Sequence, residues 1–76
     1  MLSVAEFEPG GEHKLHRHPS CEQATFLLSG SGLHLTNRGE VPQEVDDAIY
    51  VPKDEWHGFR NNGTEVARLV TLHGGR

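Results

Sequence analysis

The chain has 76 residues, a formal net charge of −4 and a single cysteine. That length supports one domain with a small core. Cys21 has no intrachain partner, and the scattered Lys and Arg residues exclude the basic face that nucleic-acid phosphates require. No apolar run approaches the roughly 18 residues of a membrane-spanning helix, and "MLSVAEFEPGG" lacks the basic and apolar regions of a signal peptide. These features predict a soluble, cytoplasmic protein, residues 1–76 forming one domain, steadied by a metal ion, a partner subunit or both.

In chain order, the segment "LSVAEFEP" (2–9) reads as extended and ends at the turn signal Pro9-Gly10-Gly11. Residues 13–18, "HKLHRH", carry three histidines in six positions ahead of a second turn signal at Pro19-Ser20. Short runs rich in β-branched, aliphatic and aromatic residues follow: "ATFLLS" (24–29), "LHLT" (33–36), "AIYVP" (48–52) and "ARLVTLH" (67–73) read as strands. Turn signals at Gly30-Ser31-Gly32, Asn37-Arg38-Gly39, Pro52-Lys53-Asp54 and Asn61-Asn62-Gly63 separate them. The best helix candidate, "VPQEVDD" (41–47), is short, and its proline is badly placed for a stable helix. Closely spaced short strands with no long helical stripe predict an all-β fold, a small antiparallel sandwich or barrel.

The histidine spacing suits that fold. On a strand, His16 and His18 face the same side with Cα atoms roughly 6.5–7 Å apart, so both rings can converge on one ion. On a helix, residues two apart point away from each other. A third nitrogen is available from His57 in "YVPKDEWHGFRN", about forty residues downstream. An ion held by both segments would tie them together, and its binding energy would add to folding.

In these two histidine segments the chain resembles the single-domain cupins. Their first motif runs Gly, five residues, His-x-His, three or four residues, Glu, six residues, Gly, and Gly10, His16 and His18 match its first half. Their second runs Gly, five residues, Pro-x-Gly, two residues, His, three residues, Asn, and Pro52, His57 and Asn61 fall in register. The resemblance covers about two-thirds of the chain and implies a short double-stranded β-helix, or jelly roll. It also implies a fourth metal ligand in the slot six residues before Gly30, which holds Gln23. Glu22 beside it fits the count from His18, and strand alternation lets only one of the two face the ion. Gln23 is favoured, because Phe26, Leu28 and Gly30 then take the usual family places. Asp46 and Asp54 stand where the second motif has glycines, and Asp tolerates the left-handed backbone such turns need.

The resemblance implies a divalent transition metal, one of Mn, Fe, Ni, Co, Cu or Zn, held by His16, His18, His57 and Gln23, with Glu22 as the alternative to Gln23. A nitrogen-rich site of this kind accepts all six. With a neutral amide as fourth ligand the ion keeps its full charge and is the stronger Lewis acid. Among enzymes, the resemblance implies dioxygenase-type oxidation of a small organic molecule, or isomerase or lyase chemistry on a sugar or small acid. Glu22, His34 and Glu55 are the candidate general bases. His34 alternates with Leu33 and Leu35, which places it on the opposite face, where it could line a cavity. His13 reads as a surface residue, His73 as structural or interfacial, and Trp56, Phe59 and Tyr50 as core or interface. The other readings are a non-catalytic module that binds a small ligand, and a structural metal that only staples the barrel. With little chain ahead of the first motif, a sheet edge is expected to lie uncovered, which predicts a homodimer.

Overall fold

The computed structural model describes residues 2–17 and 21–74. Eight strands run in chain order: β1 (Leu2–Phe7), β2 (Glu12–His16), β3 (Glu22–Ser29), β4 (Ser31–Thr36), β5 (Gly39–Glu44), β6 (Ala48–Val51), β7 (His57–Arg60) and β8 (Ala67–Gly74). They form two four-stranded antiparallel sheets, ordered β1-β8-β3-β6 and β2-β7-β4-β5. This is the expected small all-β jelly roll, with no helix among the described residues.

Strand alternation sorts the side chains of the first sheet. Cross-strand neighbours Ala5 and Leu69, Leu69 and Leu27, Thr71 and Thr25, and His73 and Gln23 share its inner face. Phe7 packs from the same side against the buried cluster Leu27, Phe59, Ala67 and Leu69, which fills one end of the sandwich. The outer face carries Leu2, Leu72, Ala24 and Tyr50 in one row and Val4, Val70, Phe26 and Ala48 in the next. Leu2, Val4 and Tyr50 are 62%, 59% and 62% exposed, so this sheet is apolar on both sides. The face ends at an ion pair, Arg68 to Glu6 at 2.5 Å.

Asn61 closes the core end. Its backbone N–H donates to Gly11 O and its carbonyl accepts from Gly10 N, both at 2.9 Å. Its side-chain amide donates to Phe7 O at 2.9 Å and Glu65 O at 2.7 Å, while Oδ1 accepts from Gly63 N at 2.9 Å. One buried asparagine thus latches the β1–β2 turn and the β7–β8 loop together. Asp46 and Asp54 have φ of 75° and 64°, the left-handed conformation expected where they replace glycine.

The segment read as the best helix candidate is mostly strand. Gly39–Glu44 pairs with β4 at the edge of the second sheet, Pro42 opposite Leu33. An edge strand tolerates a proline whose missing N–H would face solvent, and a helix interior does not.

Candidate functional site

Bordering the hydrophobic cluster, the two sheets form a cavity of about 140 Å³. Five histidines line it: His13, His16, His34, His57 and His73. Gln23, Thr25, Gln43 and Thr71 add amides and hydroxyls, and Phe7 and Phe59 form an aromatic wall with ring centroids 5.0 Å apart. None of the described lining residues is Asp, Glu, Lys or Arg.

His16 and His57 are cross-strand partners on β2 and β7, with ring centroids 4.3 Å apart. Their tautomers follow from the backbone. His16 Nδ1 lies 2.6 Å from Lys14 O and His57 Nδ1 lies 2.9 Å from Glu55 O. A carbonyl oxygen only accepts, so each Nδ1 carries a proton, and in the neutral ring the lone pair then sits on Nε2. Metal-binding histidines are oriented in this way by a hydrogen bond from the other ring nitrogen. The close pairing of β2 with β7 depends on Gly58. A Cβ there would sit 2.6 Å from His13 O and 3.2 Å from Leu15 N.

Gln23 lies on β3 in the opposite sheet, faces inward and is 9% exposed. Glu22 points the other way, and its carboxylate accepts a hydrogen bond from the Tyr50 hydroxyl. That bond, then burial and the carboxylate charge, raises the Tyr50 pKa above the usual phenol value. His18 lies outside the described residues. Two imidazoles and one amide thus line one cavity, and these are donor types that divalent transition metals accept.

Among the three candidate bases, His34 lines the cavity, while Glu22 and Glu55 do not. Burial lowers the His34 pKa and favours its neutral form. His34 also borders a shallower groove with Val41, Ile49, Val51, Glu55 and Trp56. Trp56 is 37% exposed, with the Arg17 guanidinium 5.1 Å from its ring centre, whereas Phe59 is core.

Several cavity residues differ from the sequence expectation. His13 is an exposed strand residue, as read, and it also borders the cavity, stacked on His16 with centroids 4.3 Å apart. A β-bulge between them shifts the register and brings residues three apart onto one face. His73 lines the cavity because β8 sets it opposite Gln23. Gln43 and Thr25 were not anticipated. Alternation from Val41 was the available signal for Gln43, but Pro42 and the flanking acidic residues hid the strand.

The chain belongs to the cupin domain family, whose model matches residues 3–73. It is 34% identical over 70 residues to the tetracenomycin polyketide synthase protein TcmJ of Streptomyces glaucescens, covering 92% of this chain and 47% of that one. It is also 25% identical to the oxalate-binding protein of Thermotoga maritima, over 95% of this chain and 60% of the relative. The chain thus spans about half the length of the curated relatives it matches. Among solved structures, a predicted oxalate decarboxylase from Thermotoga maritima superposes with a TM-score of 0.94 at 21% identity, over 100% of this chain and 66% of that one. The cupin domain of Cnp3 from Schizosaccharomyces pombe gives 0.91, also at 21% identity, over 99% and 52%. At these identities the structures establish the fold.

Proposed function

We propose that the chain is a metal-binding cupin that acts on a small organic molecule, with His16, His18, His57 and Gln23 holding one divalent transition metal. The observation that supports this reading is that His16 and His57, each oriented by an Nδ1–H bond to a backbone carbonyl (Lys14 O and Glu55 O), line one cavity with Gln23. When bound, such an ion supplies Lewis acidity toward a carbonyl or hydroxyl oxygen. His34, kept neutral by burial, is the cavity group suited to accept a proton from a bound molecule. The relatives named as polyketide synthase proteins make polyketide-derived compounds the first substrates to test. The second reading, a non-catalytic binding module, is favoured by the lack of any carboxylate in the described lining. The relative named as an oxalate-binding protein points the same way.

The test is elemental analysis of untagged protein, with thermal melts in the presence and absence of chelator. About one metal per chain, lost together with thermal stability in His57→Ala, is the expected result. Protein with no metal and no response to chelator removes the proposal. If the metal binds but polyketide-type substrates are not turned over, the binding-module reading stands.

We also propose that two copies associate through the apolar outer face of the first sheet. Leu2, Val4, Leu28, Tyr50 and Leu72 are each 46–62% exposed on it. Several large apolar side chains exposed on one sheet face are the kind of surface that marks protein–protein contact. Glu6 and Arg68 neutralise each other at its border, so covering the face strands no unpaired charge from this pair. Sedimentation velocity that finds only monomer at micromolar concentration would refute it.

A further inference from the structure

The cavity's lining says more about its occupant than the metal reading does. A cavity of about 140 Å³ is close to the engineered cavity of about 150 Å³ that takes up benzene, so it holds one six-membered ring. The described lining offers no Arg or Lys to a carboxylate, and an ionised group buried without a counter-charge pays a large desolvation cost. Gln43 is 1% exposed, and its Oε1 has no hydrogen-bond partner among the described residues. Its Nε2 reaches Thr25 Oγ1 at 3.4 Å and Asp47 O at 3.3 Å, both long contacts. Buried acceptors left unpaired are costly, so a molecule that donates a hydrogen bond there is favoured over one that only fills space.

We propose that the cavity binds an uncharged, hydroxyl-bearing single ring, a phenol or cyclic enol, with Phe7 and Phe59 against the ring and Gln43 and Thr25 taking its hydroxyl. This rests on the reading of the cavity as the functional site and names its substrate class, but it does not depend on the metal. A larger fused-ring molecule would place one ring inside and leave the rest outside. Gln43 acts as a specificity residue, because it separates ligands of equal size by their hydroxyl groups.

The test is calorimetric titration of metal-free protein with resorcinol, toluene, benzoate and oxalate, alongside a separate measurement of metal stoichiometry. Resorcinol is expected to bind at least tenfold more tightly than benzoate or oxalate. Gln43→Leu is expected to weaken resorcinol about tenfold while leaving toluene unchanged or tighter. Thr25→Val, close in shape to the native residue, is expected to weaken resorcinol in the same direction and serves if Gln43→Leu does not fold. Benzoate or oxalate binding as tightly as resorcinol overturns the proposal, as does an unchanged resorcinol-to-toluene ratio in both variants. Resorcinol binding to a protein that takes up no metal supports this inference while removing the metal reading. Metal uptake without resorcinol binding does the reverse.

Discussion

Replacing Asn61 by alanine removes three side-chain hydrogen bonds at a site only 1% exposed. Each is worth about 1 kcal/mol net, and a buried group left unpaired costs about 1–3 kcal/mol. The loss should therefore be about 3 kcal/mol. A chain of this length has a total stability of roughly 4–11 kcal/mol, so the variant gives up a large share of it. Urea unfolding of chelator-treated protein, followed by far-UV circular dichroism and Trp56 fluorescence, measures the change. With an m-value near 1 kcal/mol/M, the midpoint should fall by about 3 M. Asn61→Asp sharpens the test. It keeps an acceptor for Gly63 N but sets a carboxylate oxygen against the carbonyls of Phe7 and Glu65, now 2.9 and 2.7 Å from the amide nitrogen. Asp should therefore be at least as damaging as Ala at neutral pH. A loss below about 1 kcal/mol for Ala, or an Asp variant clearly more stable than Ala, would refute the latch.

Gly58→Ala puts a methyl 2.6 Å from His13 O, and overpacking of this kind costs about 1–3 kcal/mol. Because it pushes β2 from β7, a metal titration should show at least tenfold weaker affinity along with the lower melting temperature, and unchanged affinity would count against the His16–His57 pair. His34 gives a pH signature. Its folded pKa lies below the ordinary histidine value, so the unfolded chain binds more protons near and below about pH 6.5. Stability from this group is intact above that range and falls as the pH drops through it. Urea midpoints of metal-free protein at pH 7.5 and 5.5 should drop more for wild type than for His34→Gln, and equal drops would exclude His34 as a source. Val4→Lys, at a position already 59% exposed, should shift sedimentation toward monomer with little change in the fold, and an unchanged oligomer would move the interface elsewhere.

The strands with dense aliphatic and aromatic residues were legible in the sequence: residues 24–29, 33–36 and 67–73 fall within observed strands, and 48–52 overruns its strand only by Pro52. Asp46 and Asp54 were legible as left-handed turns because their chemistry allows it. β5 was hidden because an edge strand can carry Pro42, Glu40 and Glu44 on surfaces that cost nothing to solvate. β7 was hidden because "HGFR" has too few residues to show a period. Alternation, which is local, says only that one of Gln23 and Glu22 faces inward; the choice of Gln23 comes from the family register counted back from Gly30. The positions of Gln43, His13 and His73 follow from register, a bulge and cross-strand pairing, none of which a linear reading contains.

The partnership of β1 with β8 also has a temporal consequence. Leu2–Phe7 pairs with Ala67–Leu72, so these segments meet only after nearly every intervening residue has been made. Glu22–Ser29 likewise waits for β8 as one of its two neighbours. At about 5–20 residues per second, the gap between synthesis of β3 and β8 is roughly 2–9 s. For those seconds "ATFLLS" is an apolar strand with open edges, a segment prone to intermolecular pairing. The soluble yield of this chain should therefore depend on the speed of translation and the concentration of nascent copies as well as on the stability of the finished fold.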